Sequence, residues 1–208
     1  MTFSEMKTDV RRRLNEASAT FWTDADIEEA LNDALAEVAD ATEYYERQAN
    51  LQMLDGRTYY DLTSLLPDTF LSPRRCWNAT TQKWLTPTDP RELDYHTFVQ
   101  WELTNGEPEK YWLRGNWWLG VFPRRTADTS KVRIYYTAIP PAMSASTDEP
   151  GFPREFHQAV TELALSDLLA QERETSKALQ HWESGQEYVA ALQLYVEGRQ
   201  RLAGMRVI

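Results

Sequence analysis

One cysteine, three histidines and no long apolar run set the first limits on this chain. With Cys76 alone, neither an intrachain disulfide nor a thiolate metal cluster can form, and the residue reads as a small buried hydrophobe in a reducing cytoplasm. No apolar stretch is long enough to span a bilayer. The opening MTFSEMKTDVRRRL lacks the apolar core of a signal peptide, so the expectation is a soluble protein, intracellular when made. There is no phosphate loop, GxGxxG, GxSxG or HExxH. His96, His157 and His181 lie far apart without ligand spacing, and nothing calls for a metal or cofactor. Positive charge is scarce too: 22 Lys and Arg face 32 Asp and Glu, leaving a net −10. A protein that grips DNA through its phosphates usually carries a basic face. Passive contact remains compatible with this charge, because a neutral or acidic wall lets DNA slide.

What the 208 residues do contain is 42% hydrophobic residues, enough for an ordinary core, and eight Trp, ten Tyr and seven Phe. The pattern runs helix, strands, helix. Phe3, Met6, Val10 and Leu14 recur at helical spacing behind a Thr2/Glu5 capping box. Thr23 caps a second helix whose stripe is Ile27, Leu31, Leu35, Val38 and Tyr45. Nine acids and no Lys or Arg fall between Thr23 and Glu46, so one face of this helix is strongly negative.

The period then shortens. Gln48–Leu54 and Arg57–Leu62 flank Asp55-Gly56, a hairpin signal. Arg74–Ala79 reads as a strand leading to Trp84-Leu85, Asp89-Pro90 opens a short helix, and Tyr111–Arg114 with Trp117–Phe122 makes a second hairpin. Lys131–Thr137 alternates as a half-buried strand. From Pro153 the helical period returns, with Phe156, Val160, Leu163 and Leu168 marking one helix. Leu179, Trp182, Val189, Leu192 and Val196 mark another, after a break near Thr175. The expected class is α+β. Residues 1–46 and 147–208 form one helical bundle, and 47–146 form an inserted β-rich domain of antiparallel hairpins.

Signals of chemistry are thin. Ser4 and Lys7 match Ser-x-x-Lys, but no Ser-Asp-Asn or Lys-Thr-Gly follows. Asp24 with Asp26, and Asp89 with Glu92 and Asp94, fall at helix starts, where acids are favoured electrostatically. No catalytic residue is assigned. Trp112, Trp117, Trp118, Tyr135 and Tyr136 can stack on bases or sugars, or simply pack. Between Lys110 and Thr137, Lys110, Arg114, Arg124, Arg125, Lys131 and Arg133 face only Asp128, a local excess that suits docking between unlike surfaces. Arg199, Leu202, Met205, Val207 and Ile208 make a basic, apolar segment able to dock on a partner.

The order of Phe21-Trp22-Thr23-Asp24, Glu28, Leu31-Asn32, Ala34-Leu35, Asp55-Gly56-Arg57-Thr58-Tyr59-Tyr60-Asp61-Leu62 and Pro67 resembles the head-to-tail adaptors of tailed phages, the tail tubular protein A type. Pro108–Tyr111, Trp118–Pro123, Val132–Tyr136 with Pro140-Pro141, Pro153, Phe156, and Ala178, Trp182, Tyr188 and Ala191 continue it. The resemblance implies a non-enzymatic virion protein at the head–tail junction, assembled in the host cytoplasm. It also implies a ring of about twelve copies bound to the portal, with a tail or nozzle protein below. On that reading Asp33, Glu37 and Asp40 face the DNA channel, and Arg114, Arg124, Arg125, Lys131 and Arg133 with the 199–208 segment meet neighbours or the portal. Two other classes are a tail-associated peptidoglycan hydrolase, which needs a carboxylate in a cleft, and a DNA-binding module, for which Arg11–Arg13 is the one basic cluster on a helix.

Overall fold

The computed structural model describes all residues except 17–20, 68, 97–99, 116, 126–130 and 206–208, together with the side chains of 96 and 200–205. The chain divides into two compact units. Met1–Tyr45 with Ile139–Ile208 is helical, and Glu46–Ala138 carries the strands. The class is α+β, with mostly antiparallel pairing.

In the helical unit α1 spans Phe3–Arg13 and α2 spans Asp24–Thr42. Both start on the expected capping boxes. The Thr2 side chain accepts from Glu5 N–H while Glu5 reaches back to Thr2, and Thr23 and Asp26 repeat the exchange. Glu43 adopts a left-handed conformation (φ 49°) and stops α2 at Thr42, short of the expected Glu46. A short 3₁₀ turn, Arg154–Phe156, leads into α5 (Gln158–Gln171) and then α6 (Thr175–Met205). Phe3, Met6, Val10, Ile27, Leu31, Leu35 and Val38 meet Val160, Leu163, Leu165, Leu168, Val189 and Leu192 in one core. Met143, from a stretch expected to belong with the strands, joins this core, and Asn32 holds its backbone at both N–H (2.7 Å) and carbonyl (3.1 Å).

The inward row of α6 differs from the expected one. Leu179 and Trp182 are exposed; the inward row is Ala178, Gly185, Val189 and Leu192. Small residues let α6 approach α5 closely. A Cβ on Gly185 would stand 2.8 Å from a Leu163 methyl. A size-weighted pattern picks the large side chains, whereas the contact is made by the small ones.

The strand unit holds two four-stranded sheets. The first orders β1 (Glu46–Gln52), β8 (Lys131–Ala138), β3 (Phe70–Asn78) and β4 (Lys83–Trp84). The second orders β2 (Tyr59–Asp61), β7 (Trp118–Phe122), β6 (Lys110–Arg114) and β5 (Thr86–Pro87), with β5 and β6 parallel. Two short helices, α3 (Leu62–Leu65) and α4 (Pro90–His96), lie between strands.

The hairpin expected around Gly115 forms as β6–β7, and Gly115 takes φ +60° at its turn. The one expected around Asp55-Gly56 does not. The turn exists, with Gly56 at φ +66°, but β1 pairs with β8 and β2 with β7. Trp112 lies flat over Gly120, where any Cβ would come within 2.1 Å of the indole. Asn78 Nδ2–H to Pro108 O (3.0 Å) and Tyr111 O–H to Arg74 O (3.3 Å) tie the two sheets.

Candidate functional site

The residues that looked chemical have local partners. The Lys7 side chain of the Ser-x-x-Lys match is taken up by Glu28, with its Nζ 2.6 Å from the carboxylate. Hydrogen bonds from Arg11 and from Thr23 hold Asp24 and Asp26, respectively, below the usual carboxylate range. Asp89 accepts from Arg91 N–H (2.8 Å), Glu92 from Thr88 (2.9 Å), and Asp94 from the Trp101 indole (2.6 Å). Arg11, Arg12 and Arg13 engage Asp24, Asp9 and the Asp9/Glu162 pair, so the one basic cluster on a helix is consumed by neighbouring acids.

The two described histidine side chains are structural. The Met1 ammonium donates to His157 Nδ1 (2.6 Å), which leaves Nε2–H to donate to Phe152 O (2.9 Å). Burial lowers the His157 pKa most, and the Phe152 bond opposes it. His181 contacts the buried Glu162 at 2.7 Å. Burial pushes Glu162 upward, but bonds from His181, Arg13 and Gln158 together hold it below its ordinary value. Among the described residues, no three or more His, Cys, Asp or Glu stand where they could hold a metal ion. No helix there is long and apolar enough to cross a membrane.

Two exposed surfaces stand out instead. Along α2, Glu29, Asp33, Glu37 and Asp40 form an exposed row at helical spacing, opposite the Ile27–Leu31–Leu35–Val38 stripe. Asp33, Glu37 and Asp40 thus share one face, and Glu37 also accepts from Gln186 of α6 (3.3 Å).

The second surface is the outward face of the first sheet. Lys131, Arg133 and Tyr135 alternate with the buried Val132, Ile134 and Tyr136 along β8. Register sets Gln52, Asn50 and Gln48 of β1 on one side of them. Trp77 and Arg75 of β3 lie on the other, with Trp84 of β4 beyond Trp77. The Arg75 guanidinium rests 4.3 Å from the Trp84 ring centre and 5.1 Å from that of Tyr135. Trp77 meets Trp84 edge-on at 4.9 Å. Arg133 donates to Asn50 Oδ1 (3.2 Å). None of these nine positions carries a carboxylate, and among the described residues Arg75, Lys131 and Arg133 have no ion-pair partner.

The expected basic group therefore divides. Lys131 and Arg133 join the sheet face. Arg114 is exposed on β6 in the other sheet. Arg124 donates to Asn105 (2.9 Å) and Arg125 pairs with Glu107, both within the strand unit. Arg75, Trp77 and Trp84 were missed as members of a site, because only the β3–β8 and β3–β4 registers bring them beside Arg133. Arg199 is exposed on α6, where its guanidinium meets Tyr195 Oη (3.2 Å). Leu202 and Met205 lie on the helical backbone of α6, with side chains outside the described set, and Val207 and Ile208 fall outside the described residues.

No curated protein matches this sequence. A family model described as SU10 adaptor protein does, over residues 1–207, and so takes in both units. The chain therefore belongs to the SU10 adaptor family, as a structural adaptor protein of phage.

Proposed function

We propose that the protein forms a ring beneath the portal, continues its DNA channel, and gives tail or nozzle components their attachment site. The observation that carries this reading is the pair of unlike exposed faces, the carboxylate row of α2 and the cationic, aromatic face of the first sheet. A cyclic ring uses two different faces of every subunit. The family supplies the setting in the virion, between portal and tail proteins. Twelve copies is the number the resemblance implies. A net charge of −10 suits a wall along which DNA slides without being held.

Residues 199–208 serve as a portal-docking segment, anchored by Arg199, Leu202, Met205, Val207 and Ile208. The helix leading to them runs through open space at Gly198, where an added Cβ meets nothing within 4 Å. Light scattering of the protein alone, and then mixed with the portal ring, tests the assignment. The expected result is attachment in a fixed high multiple, and loss of attachment with folding retained when 199–208 is deleted. A protein that stays monomeric and ignores the portal overturns the ring. Normal attachment of the truncated chain removes the docking segment alone.

A further inference from the structure

Arg75 is an unusual cation. Its guanidinium lies against two rings, Trp84 and Tyr135, and yet no carboxylate neutralises it among the described residues. Two cations on β8, Lys131 and Arg133, continue the row. Successive outward residues on a strand lie about 6.6 Å apart, so Lys131, Arg133 and the Arg75–Tyr135 pair span about 13 Å. The surface is fixed as well as charged. Arg75 is confined by its rings and Arg133 by Asn50, so little side-chain entropy remains to be lost on docking.

A base-stacking role fits these contacts poorly, because the rings that would take a base already hold Arg75 or meet each other edge-on. Apart from Glu46 at the start of β1, what is left facing outward is positive charge with flat apolar edges. That surface suits a rigid row of carboxylates on a protein.

The same chain carries such a row. Asp33, Glu37 and Asp40 project from one face of α2, and Asp33 to Asp40 covers about 10.5 Å of helix. The spacing nearly matches that of the cations, and no Lys or Arg interrupts the sequence from Thr23 to Glu46. We infer that the outward face of the β1–β8–β3–β4 sheet is the docking site for the α2 carboxylate row of a second copy of this chain. The inference rests on the ring reading and names its subunit contact, with Arg75, Lys131 and Arg133 on one copy and Asp33, Glu37 and Asp40 on the next. Oppositely charged rows oriented head to tail also fix the order of subunits around a ring. Assigned this way, the three acids meet a neighbour instead of the channel.

Charge reversal tests it in the full-length protein assembled on its portal ring. One variant carries Arg75→Glu, Lys131→Glu and Arg133→Glu. The other carries Asp33→Lys, Glu37→Lys and Asp40→Lys. Circular dichroism of each free variant checks its fold. Each alone opposes like charges at every contact, and assembly is expected to fall at least tenfold. An equimolar mixture is expected to restore the ring, because alternating copies match at every contact: reversed face on reversed row, then native on native. A folded pair whose mixture stays unassembled overturns the inference, as does normal assembly of either variant alone. If the helix variant forms complete rings but retards DNA release, its carboxylates line the channel instead. Wild-type protein that fails to join the portal overturns the ring reading itself; wild-type assembly without rescue by the mixture overturns only this contact.

Discussion

Lys7, Arg11, Arg12, Arg13 and Arg154 in the helical unit each meet a carboxylate, whereas Arg75, Lys131 and Arg133 in the strand unit meet none among the described residues. Large apolar side chains do not divide this way: Leu179, Trp182 and Leu194 stand out of the helical unit as Trp84, Trp117 and Trp118 do out of the strand unit, all 40–71% exposed. Exposed ion pairs contribute only about 0–1 kcal/mol each, so pairing is a poor measure of how strongly either unit holds together. Its lesson concerns availability. The five cations named in the helical unit are spent on carboxylates of that same unit, and those of the sheet face remain available to something outside the chain.

The contrast can be broken most forcefully from the inside of the bundle. Leu165 is fully buried in the core that α5 shares with α1, α2 and α6, and Leu165→Ala is expected to cost about 2–5 kcal/mol, read as a lower denaturation midpoint by far-ultraviolet circular dichroism. Labelling of Cys76, the only cysteine and a fully buried one, reports on the strand unit in the same titration. Gly120→Ala attacks the other side. Its methyl group has to displace the Trp112 indole, which is itself packed on Trp101, and a loss of about 1–3 kcal/mol is expected. Cys76 should then become reactive at lower denaturant concentration; unchanged labelling would show that the indole moves aside freely.

The smallest expected effect is a response to acid. Burial lowers the native pKa of His157 below its ordinary 6.5, so the unfolded chain takes up a proton first as pH falls. The stability that neutral His157 contributes is complete above 6.5 and declines from there toward its lowered native pKa. Melting temperatures measured at pH 7.5 and 5.5 should show this decline, and His157→Gln should reduce it. An equal decline in that variant assigns the acid response to other groups.

Local signals were legible in the sequence. Both capping boxes, the α2 stripe, the β6–β7 turn at Gly115 and the break before Thr175 depend on residues within a turn or two of each other. Contacts set by distant partners were not. Nothing near Asp55-Gly56 tells that β1 seeks Lys131–Thr137 while β2 seeks Trp118–Gly120, because a turn fixes only chain reversal and two sheets competed for the flanking strands. Trp182 looked like core because it is large; Gly185 beside it makes the contact because it is small. The sheet face was half read. Lys131 and Arg133 came from their charge, but Arg75 and Trp84 reach them only through long-range pairing.

The first and last strands of the strand unit are themselves partners, with Glu46 opposite Thr137. The chain therefore leaves the bundle after Tyr45 and returns at Ile139 about one strand spacing away, roughly 5 Å. From the bundle's side, ninety-three residues between Glu46 and Ala138 occupy the doorway of a short loop. Because the chain makes only these two crossings, the residues between them can be lengthened or exchanged by recombination while the order of the helices along the chain stays as it is.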